Sequence, residues 1–593
     1  MVHKKNSGRP LLALIDKNSS NPFSSYLLEV LDIEGFFARD VLDLASADIT
    51  GSELAAYDTV LLSNIDLTDE RKRMLRRYVT EGGNIIAMRP PADMADLFGL
   101  ATVPGINKLV QDRYIAVEKN HRLGRDFAAE VLQFRGKADL YTATGADVLA
   151  YISSQFDCMT PFPAVATFCP GKGRAALFCY DLAESTVMLH QGSFESSSVG
   201  SNPNSRGDMR WTPNNLFVDQ LDERLKFVPQ ADIHQDLLAR LLNWMGQAKK
   251  PVPRAWYFPN AAACVAYFNG DSDGMNREAY LNVVNTVEKF GGKYTVFLMN
   301  QHQQVVDPGL EKKLRSRGHA FGPHIILDWL APTEQAMQQV AQDLSSFREQ
   351  YGYEPLTNRG HCLIWPGWTE MARYLSAGGI RMDQNFIPRI YYRHGYLNGS
   401  GLPVKFMDEK GALLDIYEQN TLITDDGSVD DLKFLVPGFS QKEVIRLGHK
   451  MLDDCLDRFN CVFQAAFHPM LTTDHAMWLL ETLLERCWER EVPMVGGDQW
   501  VGFNQSRRQI EITDVGYGGK SGCAEFVLSG RESVEGLTLM MPARHADRLC
   551  AEVRLDEREI VWQRKRLKGT AYVLFAVDVQ PGRTYRIEVI YNA

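Results

Sequence analysis

The sequence lacks any run of eighteen apolar residues, which is the length that a membrane-spanning helix requires. It also lacks a basic run, and its formal net charge is −10. A dedicated nucleic-acid-binding protein needs such a run to neutralise phosphates. There is no internal repeat, no low-complexity tract and no excess of glycine or proline. We therefore expect an ordinary globular protein with no membrane span and no nucleic-acid partner.

The ten cysteines are scattered, without a C-x-x-C pair or a dense cluster. This usage is typical of reduced thiols in cytoplasmic proteins. The apolar segment Pro10 to Ile15 is too short for the core of a secretory signal, and it leads into Lys17 instead of a small-residue cleavage site. We expect a cytoplasmic protein. An exported protein whose signal had been trimmed would begin in the same way, so export stays open.

A chain of 593 residues is too long for one hydrophobic core, so three or four domains are expected. The first 250 residues alternate strand and helix patterns, as in a doubly wound parallel sheet. Buried strands are predicted at Leu11 to Ile15, Tyr57 to Leu62 and Asn84 to Met88. Between the last two, a helix is predicted that Thr68 caps and Gly82 ends.

This pattern resembles the flavodoxin-like domain related to class I glutamine amidotransferases. Those enzymes carry a nucleophilic cysteine at the turn after such a strand, whereas Arg89 and two prolines follow the third predicted strand here. The resemblance therefore implies a non-catalytic domain over residues 1–250. At the other end of the chain, residues 506–593 alternate strands with turns, which predicts a small antiparallel β-sandwich.

A short acidic turn, Gly270 to Gly274, follows the apolar run Ala261 to Phe268. The run predicts a buried strand, and the glycines predict a sharp turn at its end. Asp271 and Asp273 lie in this turn, where α/β enzymes place their catalytic groups. Two carboxylates this close repel each other unless a cation or an arginine lies between them. The turn therefore predicts a charged partner elsewhere in the chain.

Four later motifs place polar side chains at or just after the ends of predicted strands. Such ends meet at one mouth in a barrel, and neutral imidazole is a suitable ligand for Zn²⁺. The candidates are His324 and Asp328 in the segment Gly318 to Asp328, Arg359 and His361 in Asn358 to His361, Asp383 at the end of Gly379 to Asp383, and His468 after Phe463 to Phe467.

The order and spacing of these motifs resembles the polysaccharide deacetylase family, also called the NodB-homology or carbohydrate esterase 4-like family. The resemblance covers roughly residues 256–500, and the family fold is a distorted (β/α) barrel. Together with the two flanking regions described above, this predicts an α/β multidomain protein with a doubly wound flavodoxin-like domain (residues 1–250), a deacetylase-like distorted (β/α) barrel (residues 254–505) and a C-terminal β-sandwich (residues 506–593).

The resemblance also implies roles for these side chains. Asp271 would be the general base, held by Arg359, and Asp273 would be a metal ligand, although the reverse assignment of the two aspartates stays open. His468 would be the general acid, and Asp383 would orient it.

The metal shell departs from the family pattern. His324 would be one ligand, but Asp328 stands where the family has a second histidine, and His361 competes for the third position. Zinc is the expected ion, with manganese, cobalt or nickel as alternatives, because added oxygen ligands favour a harder ion.

The function that the resemblance implies is metal-assisted hydrolysis of an N-acetyl group on a carbohydrate or polysaccharide. A weakened deacetylase fold that serves as a glycan-binding or assembly scaffold is a second hypothesis. A hydrolase of another amide or ester is a third, because the same ion and base would serve any acyl group. The sequence also leaves a homo-oligomer open.

Overall fold

The structure is a computed structural model that describes residues 8–105, 108–198, 212–218, 220–300, 305–328, 333–388, 394–425, 440–471 and 476–592. Within these residues, no helix is both long enough and apolar enough to cross a membrane. Two nine-stranded sheets and two smaller antiparallel sheets account for most of the strands.

In its described residues, the N-terminal region combines a mixed sheet with five α-helices. Its strands are β1 Leu11–Ile15, β2 Arg39–Asp43, β3 Thr59–Leu62, β4 Asn84–Met88, β5 Leu100–Thr102, β6 Leu109–Gln111, β7 Tyr114–Val117, β8 Val131–Gln133, β9 Lys137–Asp139, β10 Tyr141–Ala143, β11 Asp147–Gln155, β12 Cys158–Phe168 and β13 Ala175–Phe178. Its helices are α1 Leu27–Ile33, α2 Gly51–Leu54, α3 Asp69–Glu81, α4 Leu182–Gln191 and α5 Gln230–Gln247.

The large N-terminal sheet has the order β2-β1-β3-β4-β13-β12-β11-β7-β8. The first five strands run parallel, and their order is one of the two common orders of doubly wound sheets. The other four strands extend the sheet in antiparallel fashion. The predicted cap of α3 is present, since the Thr68 side chain accepts a hydrogen bond from the Arg71 amide.

Both faces of this sheet are buried, because successive side chains of a strand point to opposite sides. Leu12 and Val60 belong to a cluster on one face. Leu11 and Leu61 belong to a second cluster on the other face, and that cluster continues through Phe268 into the next region of the chain. The N-terminal sheet therefore shares a hydrophobic core with the region that holds the acidic turn.

The middle region begins with the short strand β14 Arg254–Ala255 and then forms the second nine-stranded sheet. The strands of this sheet are β15 Ala266–Asp271, β16 Tyr294–Leu298, β17 Ala320–Ile325, β18 Thr357–Gly360, β19 Met382–Asp383, β20 Val404–Met407, β21 Leu413–Glu418, β22 Ile423–Thr424 and β23 Phe463–Ala466. Its helices are α6 Arg277–Lys289, α7 Pro308–Arg315, α8 Thr333–Tyr351, α9 Glu370–Ala377, α10 Gln441–Asp453, α11 Pro469–Leu471, α12 Met477–Glu489 and α13 Gly497–Arg507.

This sheet has the order β20-β21-β19-β18-β17-β16-β15-β23-β22, and only β20 pairs antiparallel. The sheet is strongly curled. Four strand spacings would separate β19 from β15 by about 19 Å in a flat sheet. Instead, Gln384 after β19 accepts a hydrogen bond from Asn269 of β15 at 2.9 Å. The curl therefore brings the ends of distant strands together.

The C-terminal region consists of antiparallel strands. They are β24 Ile510–Gly518, β25 Cys523–Gly530, β26 Val534–Pro542, β27 Arg544–His545, β28 Arg548–Leu555, β29 Arg558–Glu559, β30 Gln563–Leu567, β31 Thr570–Val579 and β32 Thr584–Asn592. They form two sheets that share one apolar cluster, with Phe526 from one sheet and Phe575 from the other. β14 belongs to the sheet that contains β26 and β31, because Arg254 pairs with Met540 of β26. The segment just before β14 therefore leads directly into this sheet.

Buried charges meet where the three regions join. Arg254 of β14 pairs with Glu34, which is fully buried and also accepts a hydrogen bond from the Tyr257 hydroxyl at 2.8 Å. The C-terminal Lys568 donates to the same hydroxyl at 3.0 Å. Removing one member would leave a buried charge without compensation, so this network opposes separation of the regions.

A glycine is required where β15 passes the end of β23. A Cβ atom on Gly270 would lie 1.6 Å from the Phe467 carbonyl oxygen and 2.1 Å from the Tyr294 hydroxyl oxygen. The backbone is fixed on both sides, because the Phe467 amide donates to the Asn269 carbonyl at 2.7 Å. No other residue fits here without moving a strand.

We expect Gly270→Ala to lower the melting temperature clearly, because overpacking at a fixed backbone costs about 1–3 kcal/mol or more. Gly502→Ala is the matched control, since Gly502 lies in α13 and a Cβ atom there meets nothing within 4 Å. It should leave the melting temperature unchanged or raise it slightly. Thermal unfolding followed by circular dichroism checks both, and equal melting temperatures for the two variants would contradict the close approach.

Candidate metal and acid–base site

The candidate site lies at the carboxyl edge of the curled sheet. Asp271 ends β15, His324 lies near the end of β17, and Arg359 lies near the end of β18. Asp425 follows β22, and His468 follows β23. Because these strands run parallel, their ends share one edge, and the curl turns that edge into a mouth.

The Asp-Ser-Asp spacing places both carboxylates on the same side of the chain. Ser272 is fully buried and points away, since its amide donates to the Phe297 carbonyl at 3.0 Å and its hydroxyl accepts from the Met299 amide at 2.9 Å. Residues two apart in extended backbone face the same way. The intervening serine therefore anchors the turn to the next strand while Asp271 and Asp273 both reach the site.

Asp273, His324 and His361 form a cluster whose ligand atoms all lie within 4.8 Å of one another. Nε2 of His324 is 3.2 Å from one Asp273 oxygen, and Nε2 of His361 is 3.4 Å from the other. Nδ1 of His324 lies 2.9 Å from the Arg359 carbonyl oxygen, which can only accept a hydrogen. Nδ1 therefore carries the proton, and the Nε2 lone pair faces Asp273.

These residues fit a divalent cation. Nε2 of His324 and Oδ1 of Asp273 are buried, and neither has a hydrogen-bond partner within the part of the chain that the structure describes. Two electron-rich atoms at this distance repel each other unless a positive charge lies beside them. Two imidazoles and one carboxylate are also a ligand set of catalytic zinc sites, which keep a fourth position open.

The charge balance of the cluster agrees with this fit. Asp273, followed by Cys362, raises the pKa of His361 to about 10. The imidazole of His361 therefore holds a proton at neutral pH, and a bound cation would replace that proton.

Asp271 lies between this cluster and His468. One of its oxygens is 3.3 Å from Nη1 of Arg359, and the other is 3.7 Å from Nε2 of His468. Arg359 is buried and fixed, because its Nε donates to the Gln384 carbonyl at 3.1 Å and its Nη2 donates to the Thr421 hydroxyl at 3.0 Å. The guanidinium thus holds the Asp271 carboxylate in one position.

The prediction that Asp383 orients His468 is wrong. Nδ1 of His468 lies 2.8 Å from Asp425, and its amide donates to the other oxygen of Asp425 at 2.6 Å. Gln384 points into the curled sheet, where it meets Asn269, so its neighbour Asp383 points to the opposite face. There Asp383 accepts hydrogen bonds from Asn385.

Asp425 is the residue that the sequence reasoning missed. It is fully buried and follows the short β-branched and apolar segment Thr421 to Thr424. That segment, ending in an acid, has the same form as the other motifs and could have been identified as a strand end.

The structure places Asp328 outside the cluster of possible ligands. Its side chain is exposed, and its amide donates to the Gln339 side chain at 2.9 Å. Asp328 would lie near His324 if a helical turn followed β17, but residues 326–328 are not helical. His361 follows β18 directly, and β18 is the neighbour of β17, so His361 is the third member of the cluster.

No family model matches this chain, and no curated protein matches it. Among solved structures, the chain is similar over 98% of its length to Agd3, described as a novel carbohydrate deacetylase, with 9% identity, 98% of that chain covered and a TM-score of 0.40. A protein of Mycobacterium smegmatis assigned as a polysaccharide deacetylase matches 42% of this chain and 93% of its own, with 15% identity and a TM-score of 0.32.

The Puue allantoinase matches 43% of this chain and 94% of its own, with 12% identity and a TM-score of 0.32. All three TM-scores are below 0.5. These similarities therefore carry no conclusion about the function of this chain.

We expect the protein to bind one Zn²⁺ ion at this cluster. His324→Ala and Asp273→Ala should each abolish binding, because either change leaves too few ligands for a zinc shell. Asp328→Ala is the matched control, since Asp328 lies three residues beyond the end of β17 and outside the cluster, so it should bind like the wild type. Calorimetric titration of chelator-treated protein checks all four. Loss of binding in Asp328→Ala would contradict the assigned ligand set.

Proposed function

We propose that the chain is a divalent-metal-dependent hydrolase that removes N-acetyl groups from a carbohydrate. The proposal depends on one observation above all. Asp271 lies between a three-residue cluster that fits a cation and the Asp425-paired His468, while the buried Arg359 holds it in place. A base, an acid and metal ligands thus share one mouth of the sheet.

A bound divalent ion would polarise the acyl carbonyl and lower the pKa of a water molecule beside it. Asp273, His324 and His361 would hold that ion. Side chains of the protein transfer the protons. Asp271 takes one from the water, whose oxygen then bonds to the carbonyl carbon.

His468 supplies the second proton. Its Nδ1 is engaged by Asp425, so Nε2 is the nitrogen that faces the site and Asp271. As the carbon–nitrogen bond of the amide breaks, Nε2 gives its proton to the leaving amine. The products are acetate and a free amine. Asp425 fixes the ring and stabilises its charged form before the transfer.

The substrate class comes from the sequence and not from the distances. The order of the acidic turn, the histidine and arginine motifs and the late histidine resembles the polysaccharide deacetylase family, and this directs the proposal to N-acetylated carbohydrates. The same groups would hydrolyse another amide or an ester.

A direct assay separates these functions. Zinc-loaded protein is incubated with oligomers of N-acetylated sugars and, separately, with simple aryl esters. Release of acetate from the sugars supports the proposal. Cleavage of esters alone would reassign the enzyme to another acyl group. Binding of the sugars without any hydrolysis would favour the glycan-binding scaffold.

Asp271→Asn and His468→Ala should each lower kcat by about 10²–10⁴-fold, because each removes a proton-transfer group. Both variants should still bind Zn²⁺, since neither residue belongs to the ligand cluster. Steady-state kinetics on the best sugar substrate, with zinc titration of the same samples, checks this. Full activity of either variant would exclude its assigned role.

Asp425→Ala should lower kcat by about 10²-fold, because a ring that is free to turn misplaces the transferred proton. Zinc affinity and KM should change little, since Asp425 touches His468 and not the ligand cluster. The same kinetic and titration measurements apply. A change in zinc affinity with unchanged kcat would contradict the role given to Asp425.

A further inference from the structure

Asp383 takes no part in the proposed reaction, yet it is fully buried in the wall of the curled sheet. It accepts three hydrogen bonds. Asn358 donates from its side chain at 2.5 Å, and Asn385 donates from its side chain at 2.8 Å and from its amide at 2.9 Å. Glu418 is its partner in the strand register.

Asn385 connects this network to β18, the strand that contains Arg359 and Gly360. Its side-chain oxygen accepts the Gly360 amide at 2.9 Å. Gly360 has no side chain by which it could be anchored, so its backbone amide is the group through which the next strand can hold it. Gln384, between Asp383 and Asn385, accepts Nε of Arg359 at 3.1 Å through its carbonyl.

Gly360 lies between two residues that have different proposed roles. Arg359 holds the proposed base, and His361 completes the proposed ligand cluster. Residues two apart in extended backbone face the same side, so the position of the Gly360 peptide sets both side chains at once. Outer hydrogen bonds of this kind orient metal ligands in other proteins.

We propose that Asp383 and Asn385 are positioning residues that clamp the Gly360 peptide and so place Arg359 and His361 together at the site. This inference rests on the proposed function, because it assumes that His361 binds a metal ion. Asp383 accepts hydrogen bonds from Asn358 and Asn385, and Asn385 is the connection to β18.

The buried carboxyl pair offers a matched set of isosteric changes. Burial, followed by the charge of Asp383, raises the pKa of Glu418 well above its ordinary value. Glu418→Gln keeps the shape of this side chain and an acceptor oxygen for the Phe386 amide. Asp383→Asn replaces a carboxylate oxygen that accepts hydrogen bonds with an NH₂ group, which would face the N–H donors of Asn358 and Asn385.

The experiment measures the zinc dissociation constant by competition with a chromogenic chelator, together with the melting temperature. Asp383→Asn and Asn385→Ala should weaken zinc binding by about 10–100-fold, as loss of outer-shell partners does elsewhere. Glu418→Gln should bind like the wild type. Asn420→Ala serves as a second control, because Asn420 is equally buried but holds Gly395 and Leu397. It should lose stability without losing zinc affinity.

Folded Asp383→Asn and Asn385→Ala variants that bind zinc as tightly as the wild type would overturn the clamp. If neither variant folds, hydrogen exchange of metal-free wild-type protein decides at residue resolution. A protected Gly360 amide supports a clamp formed before metal binds, and rapid exchange overturns it. A wild-type protein that binds no zinc would refute the proposed function itself, which is a different result from either.

Discussion

The buried contact between Arg359 and Asp271 is the constraint on which the site depends. A guanidinium that is 1% exposed is unfavourable unless its charge is paired and its hydrogens find acceptors. Arg359 meets this demand with Asp271 of β15, the carbonyl of Gln384 after β19 and the hydroxyl of Thr421 before β22. One side chain therefore joins three distant parts of the sheet and fixes its curl at the mouth.

The surrounding architecture keeps that mouth rigid. The polar network of Asn269, Gln384 and Gln464 lies inside the curl, with hydrogen bonds of 2.9 Å and 3.1 Å converging on Gln384. On the outside, one face of the N-terminal sheet packs into the same hydrophobic core, and β14 ties the middle region to the C-terminal sheet. Catalytic groups need such support, because small displacements are costly in rate.

Much of the fold was accessible from periodicity and local signals. The strands β1 and β4 have the predicted bounds, and α3 begins after its predicted cap. The strand before the acidic turn was predicted to end at Phe268, but β15 continues to Asp271. Gly270 was predicted to form a turn, but it lies within β15, where the lack of a side chain allows the close approach to Phe467. The antiparallel extension of the N-terminal sheet also depends on pairing that no local pattern encodes.

The candidate site was likewise predictable from the sequence only in part. Asp271, Asp273, His324, Arg359, His361 and His468 were recognised from residue type and strand-end position, and they meet at one mouth. The sequence by itself determined which polar side chains stand at strand ends, because strand ends and side-chain polarity are local properties. Only the tertiary structure decided between Asp383 and Asp425 and between Asp328 and His361. Those choices depend on which face of a strand a side chain occupies and on which strands the curl brings together, and both are set by contacts between residues far apart in the chain.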